Sequence, residues 1–203
     1  MPPENRTEKR KQQTRESIIR VALDLFQRQG FDGTTMDQIA AEADIARKTL
    51  YNHFPVKEAI VDDYVRELST DLARTTREEL HQLPDTRSRL LAALDTAYQW
   101  VETNPEFTAI CLGYRMKNMW RKTGGDTSET GTHEIMSEIL VRGQQTGEIR
   151  QDVPVKLLVF QLDMLRGSVV MEWLADAERI DLRKEIAKIV DLFLYGAIDR
   201  EKE

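Results

Sequence analysis

The sequence predicts an all-α protein of about nine helices, in which a small three-helix helix-turn-helix unit precedes a larger helical domain. Apolar residues recur at three- and four-residue steps along most of the chain, which is typical of amphipathic helices. No segment alternates polar and apolar residues as a half-buried strand does. Ten glycines and six prolines among 203 residues leave few turns and favour long helices.

The first helix is predicted from about Glu8 to Gln29, because its apolar residues share one face and Gly30 follows as a C-terminal stop. Thr35, with Gln38 three residues later, has the pattern of a capping box. That box predicts a short second helix over Met36 to Ala43.

A three-residue break, Asp44 to Ala46, separates the second helix from a third one over Arg47 to His53. Leu50 and Phe54 are expected to pack against the first two helices. Pro55 ends the third helix, because the residue before a proline disfavours the helical conformation. Two short helices joined by a tight turn, after a longer supporting helix, are the pattern of a helix-turn-helix.

Long helices are predicted for the rest of the chain, and we expect residues 57–203 to form a second domain after residues 1–56. Their expected ranges are 57–82, 86–103, 106–121, 133–145, 154–175 and 181–198. Residues 123–131 are predicted to form a low-complexity loop.

Charge is unevenly distributed along the chain. The net charge is −6 overall, but it is +1 over residues 1–60 and −7 over the remainder. Arg47 and Lys48 occupy the first turn of the third helix, where the helix dipole disfavours cations by about 0.3 to 1 kcal/mol each. Residues that break a local rule are often functional, and such a pair suits phosphates and base edges of DNA. A solvated basic face on an ordinary helix is the alternative reading of this pair alone.

Several protein classes are disfavoured by the sequence. Cys111 is the single cysteine, so no internal disulfide forms, and no Cys/His cluster predicts a metal or cofactor. Residues 1–20 lack the apolar stretch of a signal peptide, and charged residues interrupt Leu157 to Leu174, which therefore does not span a membrane. We expect a cytoplasmic protein, associated with the nucleoid when bound to DNA. An enzyme is the main rival class, but the cysteine and the three histidines are predicted to lie apart.

The helix-turn-helix resembles the DNA-binding signature of the tetracycline-repressor (TetR) family of bacterial transcription regulators. The matching residues are Gly30, Phe31, Thr34, Thr35, Met36, Ile39, Ala40, Ala43, Thr49, Leu50, Tyr51, Asn52, His53, Phe54, Lys57 and Glu58. The resemblance covers about residues 15 to 60. It implies a dimeric repressor that binds a palindromic operator in double-stranded DNA and is released by a small hydrophobic or aromatic effector. An activator or chromosome-organising factor without an inducer is the alternative.

The resemblance also implies roles for individual residues. The major groove would be faced by Arg47, Lys48, Tyr51 and Asn52. Phosphates would be bound by Thr35, Thr49, Tyr51, His53 and Lys57. Residues 6–15 are expected in a flexible basic tail, which is either a further DNA-binding arm or a leader without that role.

Three positions depart from the usual pattern of the family. Asp44 stands where a turn glycine is usual, Ala46 where a serine cap is usual, and Asp37 where a basic residue is frequent. Aspartate tolerates the left-handed conformation better than most residues, so the turn is expected to survive. The missing cap gives up about 0.5 to 2 kcal/mol. Asp37 leaves the second helix with fewer base contacts.

For the second domain the resemblance implies a homodimer and an effector pocket. The last two helices are expected to pack on those of the partner through Leu158, Leu162, Leu165, Val169, Ile186, Val190, Phe193 and Leu194. The pocket is expected to be lined by Tyr98, Trp100, Phe107, Met116, Trp120 and Met164, for each of which ordinary core packing is the alternative. An effector would separate the two DNA-binding heads through the helix that starts at Lys57.

Overall fold

The computed structural model describes residues 6–119 and 130–196. These ranges contain nine α-helices and no strand, which confirms the predicted fold class. The helices are α1 (Arg6–Gln29), α2 (Met36–Glu42), α3 (Arg47–His53), α4 (Lys57–Gln82), α5 (Thr86–Thr103), α6 (Pro105–Met119), α7 (Gly131–Thr146), α8 (Val155–Ala175) and α9 (Leu182–Tyr195). The predicted loop over 123–131 lies almost entirely outside the described residues. No helix within them is long and apolar enough to cross a membrane.

The described chain divides into two compact units. Unit 1 contains residues 6–65 and 113–119, and unit 2 contains residues 66–112 and 130–196. The sequence predicted a boundary after residue 56, where Pro55 interrupts the helices. The contacts divide α4 further along instead, and they assign the end of α6 to unit 1. Pro55 ends a helix, but packing continues beyond it because Ile60 and Val61 of α4 are fully buried.

Unit 1 is built around the apolar faces of its first three helices. α1 supplies Ile18, Ala22 and Leu25 to this core, α2 supplies Ile39, and α3 supplies Leu50. Because α2 and α3 have only seven residues each, they are too short to be stable by themselves. Their burial against α1 therefore determines how α3 is presented.

Unit 2 has its own apolar core, to which α5, α7, α8 and α9 contribute. The start of α7 approaches α4 closely: the N–H of Gly131 donates to Ser69 Oγ at 3.0 Å. A Cβ atom at Gly131 would lie 2.0 Å from the Ser69 carbonyl oxygen, so this contact requires glycine. α7 ends at Gly147, whose φ of 79° is left-handed.

Candidate DNA-binding and effector sites

The turn between α2 and α3 is closed by two backbone hydrogen bonds. The N–H of Asp44 donates to the carbonyl of Ala41 at 3.2 Å. The N–H of Ile45 donates to the carbonyl of Ala40 at 3.0 Å, which completes a Schellman motif. Asp44 has a φ of 52°, the left-handed conformation that the sequence predicted it to tolerate. The turn therefore keeps its geometry without the usual glycine.

The two helices of the motif begin differently. α2 has the predicted capping box: the Gln38 N–H donates to Thr35 Oγ1 at 3.2 Å, and the Thr35 N–H donates to Gln38 Oε1 at 2.8 Å. Ala46, which precedes α3, has an extended backbone and forms no side-chain cap bond. α3 is held from its apolar side instead, because Leu50 and Phe54 are buried. Its opposite side faces away from the core of unit 1.

That outward side of α3 exposes Arg47, Lys48, Tyr51 and Asn52, the four residues predicted to face the major groove. Arg47 forms an ion pair with α2, because its Nη2 lies 2.8 Å from Asp37 Oδ2. The two side chains remain 72% and 49% exposed. The sequence did not predict this ion pair, since its members lie on different helices. A base or phosphate has to compete with Asp37 for the Arg47 guanidinium.

Among the predicted phosphate ligands, Thr35 is exposed and Thr49 is half-buried. Lys57 also has an internal role. Its ammonium donates to the carbonyl of Phe31 at 2.6 Å and to that of Thr34 at 3.1 Å, and it lies 4.2 Å from the centre of the Phe31 ring. These contacts tie the start of α4 to the loop after α1. The role of Lys57 as a phosphate ligand stays a prediction.

The first turns of α1 bring positive charge close to the end of α3. Burial lowers the pKa of His53, and the cations Lys11 and Arg15 lower it further. The lowered pKa favours the neutral imidazole, which carries one N–H donor. Residues 6–15 are helical and belong to α1, which corrects the expectation of a flexible tail in that range.

Two adjacent carboxylates on α4 hold other helices of unit 1. Asp63 forms an ion pair with Arg15 of α1. Asp62 forms one with Arg115 of α6, and its side chain is only 16% exposed. The end of α6 is thereby fastened to the DNA-binding unit, although the sequence assigned all of α6 to the second domain.

The residues predicted to line one effector pocket have different environments. Tyr98 is fully enclosed in the core of unit 2, and Trp100 and Phe107 are half-buried. Met116 belongs to unit 1, and Met164 is exposed on α8, so neither fits an enclosed pocket of unit 2. Trp120 lies outside the described residues. The effector pocket stays a prediction.

A chain of polar side chains lies beside Tyr98 in unit 2. His133 Nδ1 of α7 lies 2.7 Å from Asp163 Oδ2 of α8. Arg166 Nε donates to the other oxygen of Asp163, also at 2.7 Å. Burial opposes the charge on Asp163, but Arg166 and His133 outweigh it and hold the pKa of this carboxyl below its ordinary value. Asp163 is therefore an anion that neutralises Arg166.

Five of the eight residues predicted for the dimer interface are buried in unit 2, namely Leu158, Leu162, Val169, Ile186 and Val190. Leu165, Phe193 and Leu194 are partly buried. The buried five are core residues of a single protomer, which corrects their assignment to a surface that a partner covers. α8 is apolar on two opposite sides, and the sequence pattern did not distinguish the inward side from the outward one.

The outward side of α8 carries Leu157, Phe160, Met164 and Met171, whose side chains are 45 to 50% exposed. We call these four residues the outer face of α8. At 3.6 residues per turn they lie on one stripe of the helix, opposite Leu162. Four large apolar side chains in one exposed stripe are typical of a surface that another molecule covers.

Two open grooves lie on unit 2, of about 660 Å³ and about 450 Å³. The larger is lined by α7 and the end of α4, and the smaller lies between α5 and α9. The described residues contain no group of three His, Cys, Asp or Glu side chains that could hold a metal ion.

The helix-turn-helix corresponds to the family model for bacterial regulatory proteins of the tetR family, which matches residues 18–64. The repressor KstR2 of Rhodococcus jostii is 30% identical over 145 residues, which cover 70% of this chain and 71% of that protein. The regulator MftR of Mycobacterium tuberculosis is 30% identical over 207 residues and 98% of each chain. FadR of Thermus thermophilus, a TetR family transcriptional repressor crystallised with lauroyl-CoA, matches with a TM-score of 0.72 and 26% identity, over 92% of this chain and 96% of that one.

These three relatives are described as transcriptional regulators. The description of KstR2 and FadR as repressors does not favour the activator or chromosome-organising alternative. The geometry of the motif and these likenesses confirm the predicted function class, a DNA-binding repressor of transcription. From the family model over residues 18–64 and the two relatives at 30% identity, the chain belongs to the TetR family of bacterial regulatory proteins.

Proposed function

We propose that the protein represses transcription as a homodimer that places two copies of α3 in the major groove of a palindromic operator. The observation that carries this proposal is the exposed side of α3, which is fixed by buried Leu50 and by the turn at Asp44. Arg47 and Lys48 suit the acceptor edges of guanine. A regulator of this kind acts in the cytoplasm, on the nucleoid.

We assign the second copy of the chain to the outer face of α8. A dimer covers this apolar stripe in each protomer at once, and apolar burial stabilises it by about 25 cal/mol per Å². A dimer also meets the need for two recognition helices about 34 to 36 Å apart, one turn of DNA. This surface replaces the buried residues that the sequence assigned to the interface.

The effector that we propose is an acyl thioester of coenzyme A. FadR of Thermus thermophilus, solved with lauroyl-CoA, matches almost the whole chain and supports this assignment. α4 begins in unit 1 and continues into unit 2 as one helix, so it provides a route from the effector to the DNA-binding heads. The effector releases the operator only if it binds the DNA-free form more tightly.

The test is a selection of duplexes from a random DNA library by the purified full chain at two salt concentrations. We expect a palindrome to be enriched. Arg47→Ala or Lys48→Ala should then weaken binding by about 1 to 3 kcal/mol for each base contact that is lost. Arg74→Ala is the matched control, because Arg74 is an exposed arginine of unit 2, 73% accessible and paired with Asp71.

Lauroyl-CoA is then added to the complex with the selected palindrome, and operator affinity is measured again. Release of the duplex supports the effector assignment, whereas unchanged affinity refutes it. Absence of any enriched sequence, with binding that disappears as salt rises, would leave only electrostatic contact with DNA and refute the operator proposal.

A further inference from the structure

The Tyr98 hydroxyl is an unusual group in the core of unit 2. The side chain is 1% exposed, and its oxygen has no hydrogen-bond partner among the described residues. Arg166 lies close to the phenol and, as a guanidinium, can only donate to its oxygen, so the phenol proton has no acceptor. Burial raises the pKa of Tyr98, so the phenol keeps its proton and remains a donor.

A purely structural role does not account for this hydroxyl. Buried polar groups in native proteins almost always have a partner, and an unpaired one is costly. Phenylalanine would fill nearly the same volume without that cost, since it lacks only the hydroxyl. Tyr98 belongs to the same apolar core as Leu94, Met136 and Leu162. A ligand that enters this core would supply the missing partner.

The polar groups next to Tyr98 limit the chemistry of that ligand. Asp163 accepts hydrogen bonds from both His133 and Arg166, so the carboxylate and the guanidinium cancel in charge. Because Asp163 already offsets the guanidinium charge, Arg166 gives little stabilisation to a second buried carboxylate, which is expensive to desolvate. The cluster suits a neutral carbonyl oxygen, which needs donors rather than a counterion.

We propose that the Tyr98 hydroxyl, beside an Arg166 held in place by Asp163, donates a hydrogen bond to the acyl carbonyl of the effector. The acyl chain lies among the apolar side chains of α5, α7 and α8. This inference rests on the proposed release by an acyl thioester. It specifies in addition that the recognised atom is the acyl carbonyl oxygen, and that a neutral carbonyl is preferred over a free carboxylate.

The test compares two probes that differ only at the carbonyl: lauroyl-CoA, a thioester, and S-dodecyl-CoA, the thioether that lacks the oxygen. Calorimetric titration of the full chain should show that the wild type prefers the thioester by about fivefold, the size of one hydrogen bond. Tyr98→Phe should bind both probes equally. Tyr195→Phe, which removes an exposed tyrosine hydroxyl on α9, should keep the wild-type preference.

A Tyr98→Phe protein that still prefers the thioester would overturn the inference, and so would a wild type that fails to distinguish the two probes. Thermal unfolding of Tyr98→Phe shows that the variant is folded, and we expect its transition to lie at or above that of the wild type. Operator binding without ligand, measured on the same protein, tests the repressor function separately. If the protein does not bind the operator, the proposed function is refuted. The comparison of the two probes still tests the role of Tyr98 in that case.

Discussion

Replacement of Asp37 by asparagine should strengthen operator binding, because it releases Arg47. In the DNA-free protein Arg47 Nη2 lies 2.8 Å from Asp37 Oδ2. A guanidinium that binds a base or phosphate bidentately has to leave this carboxylate or share it. Asp37→Asn removes the competing charge, keeps the size of the side chain, and leaves the capping box at Thr35 intact.

The size of the effect follows from the exposure of the pair. Both side chains are in contact with water, at 72% and 49% exposed, and exposed ion pairs contribute about 0.2 to 1 kcal/mol. The free energy of the ion pair is lost when Arg47 leaves Asp37 to bind DNA. Asp37→Asn removes the ion pair and therefore this loss. Two protomers bind one operator, so affinity should rise about 2- to 30-fold, since each 1.4 kcal/mol is tenfold.

The assay is a fluorescence anisotropy titration of the selected palindrome at fixed salt. Asp32→Asn is the matched control, because Asp32 is an exposed aspartate of unit 1 in the loop between α1 and α2. It changes the net charge equally but does not release Arg47. The gain should exceed that of Asp32→Asn and should disappear in an Arg47→Ala background. Equal gains for the two asparagine variants, or a gain that persists without Arg47, would refute the reasoning.

Three further predictions concern stability and assembly. Ala46→Ser should add about 1 kcal/mol to the free energy of chemical unfolding by capping α3, whereas Ala41→Ser, an exposed control within α2, should not. Asp163→Asn should cost about 2 kcal/mol at pH 7 by removing a charged hydrogen-bond acceptor. Because the pKa of Asp163 is lowered on folding, that difference should shrink in urea titrations as pH falls below about 3.9, and a constant difference would contradict it. Phe160→Glu should yield monomers in analytical ultracentrifugation, and an unchanged dimer would exclude the outer face of α8.

Helix ends were predictable where the signal is local. The predicted ranges of α3, α4 and α5 coincide with the observed ones, because prolines and a capping aspartate mark their ends. Pro55 follows α3, and Pro84 lies between α4 and α5. Asp85 caps α5, because its side chain accepts a hydrogen bond from the Ser88 N–H. Such signals act within a few residues, so they do not depend on the tertiary structure.

The orientation of α8 was not predictable in the same way. When a helix has apolar residues on one side only, its inward face can be predicted from the sequence. α8 has apolar residues on two sides. Leu162 and Phe160 are similar in hydrophobicity, yet Leu162 is fully buried and Phe160 is half exposed. Only the packing of α7 and α9 against one side decides between them.

The exposure of four side chains on α3 was predicted correctly, namely Arg47, Lys48, Tyr51 and Asn52. Two contacts made by the predicted DNA-binding residues were not predicted. Lys57 contacts the carbonyl of Phe31, 26 positions away, and Arg47 contacts Asp37 across the turn. Both contacts depend on how the helices are placed in space. A residue pattern gives the type of each side chain and its face, but not the partner that it finds.

The ion pair between Asp62 and Arg115 determines which segments a chimera must include to transfer operator specificity between family members. Unit 1 is made of two segments that are separated along the chain, residues 6–65 and 113–119. A chimera that takes only residues 1–56 from this chain would carry the recognition helix but not Asp62, Asp63 or the end of α6. Arg15 would then face an unrelated residue on α4. A functional exchange of operator specificity therefore requires that both segments are transplanted together.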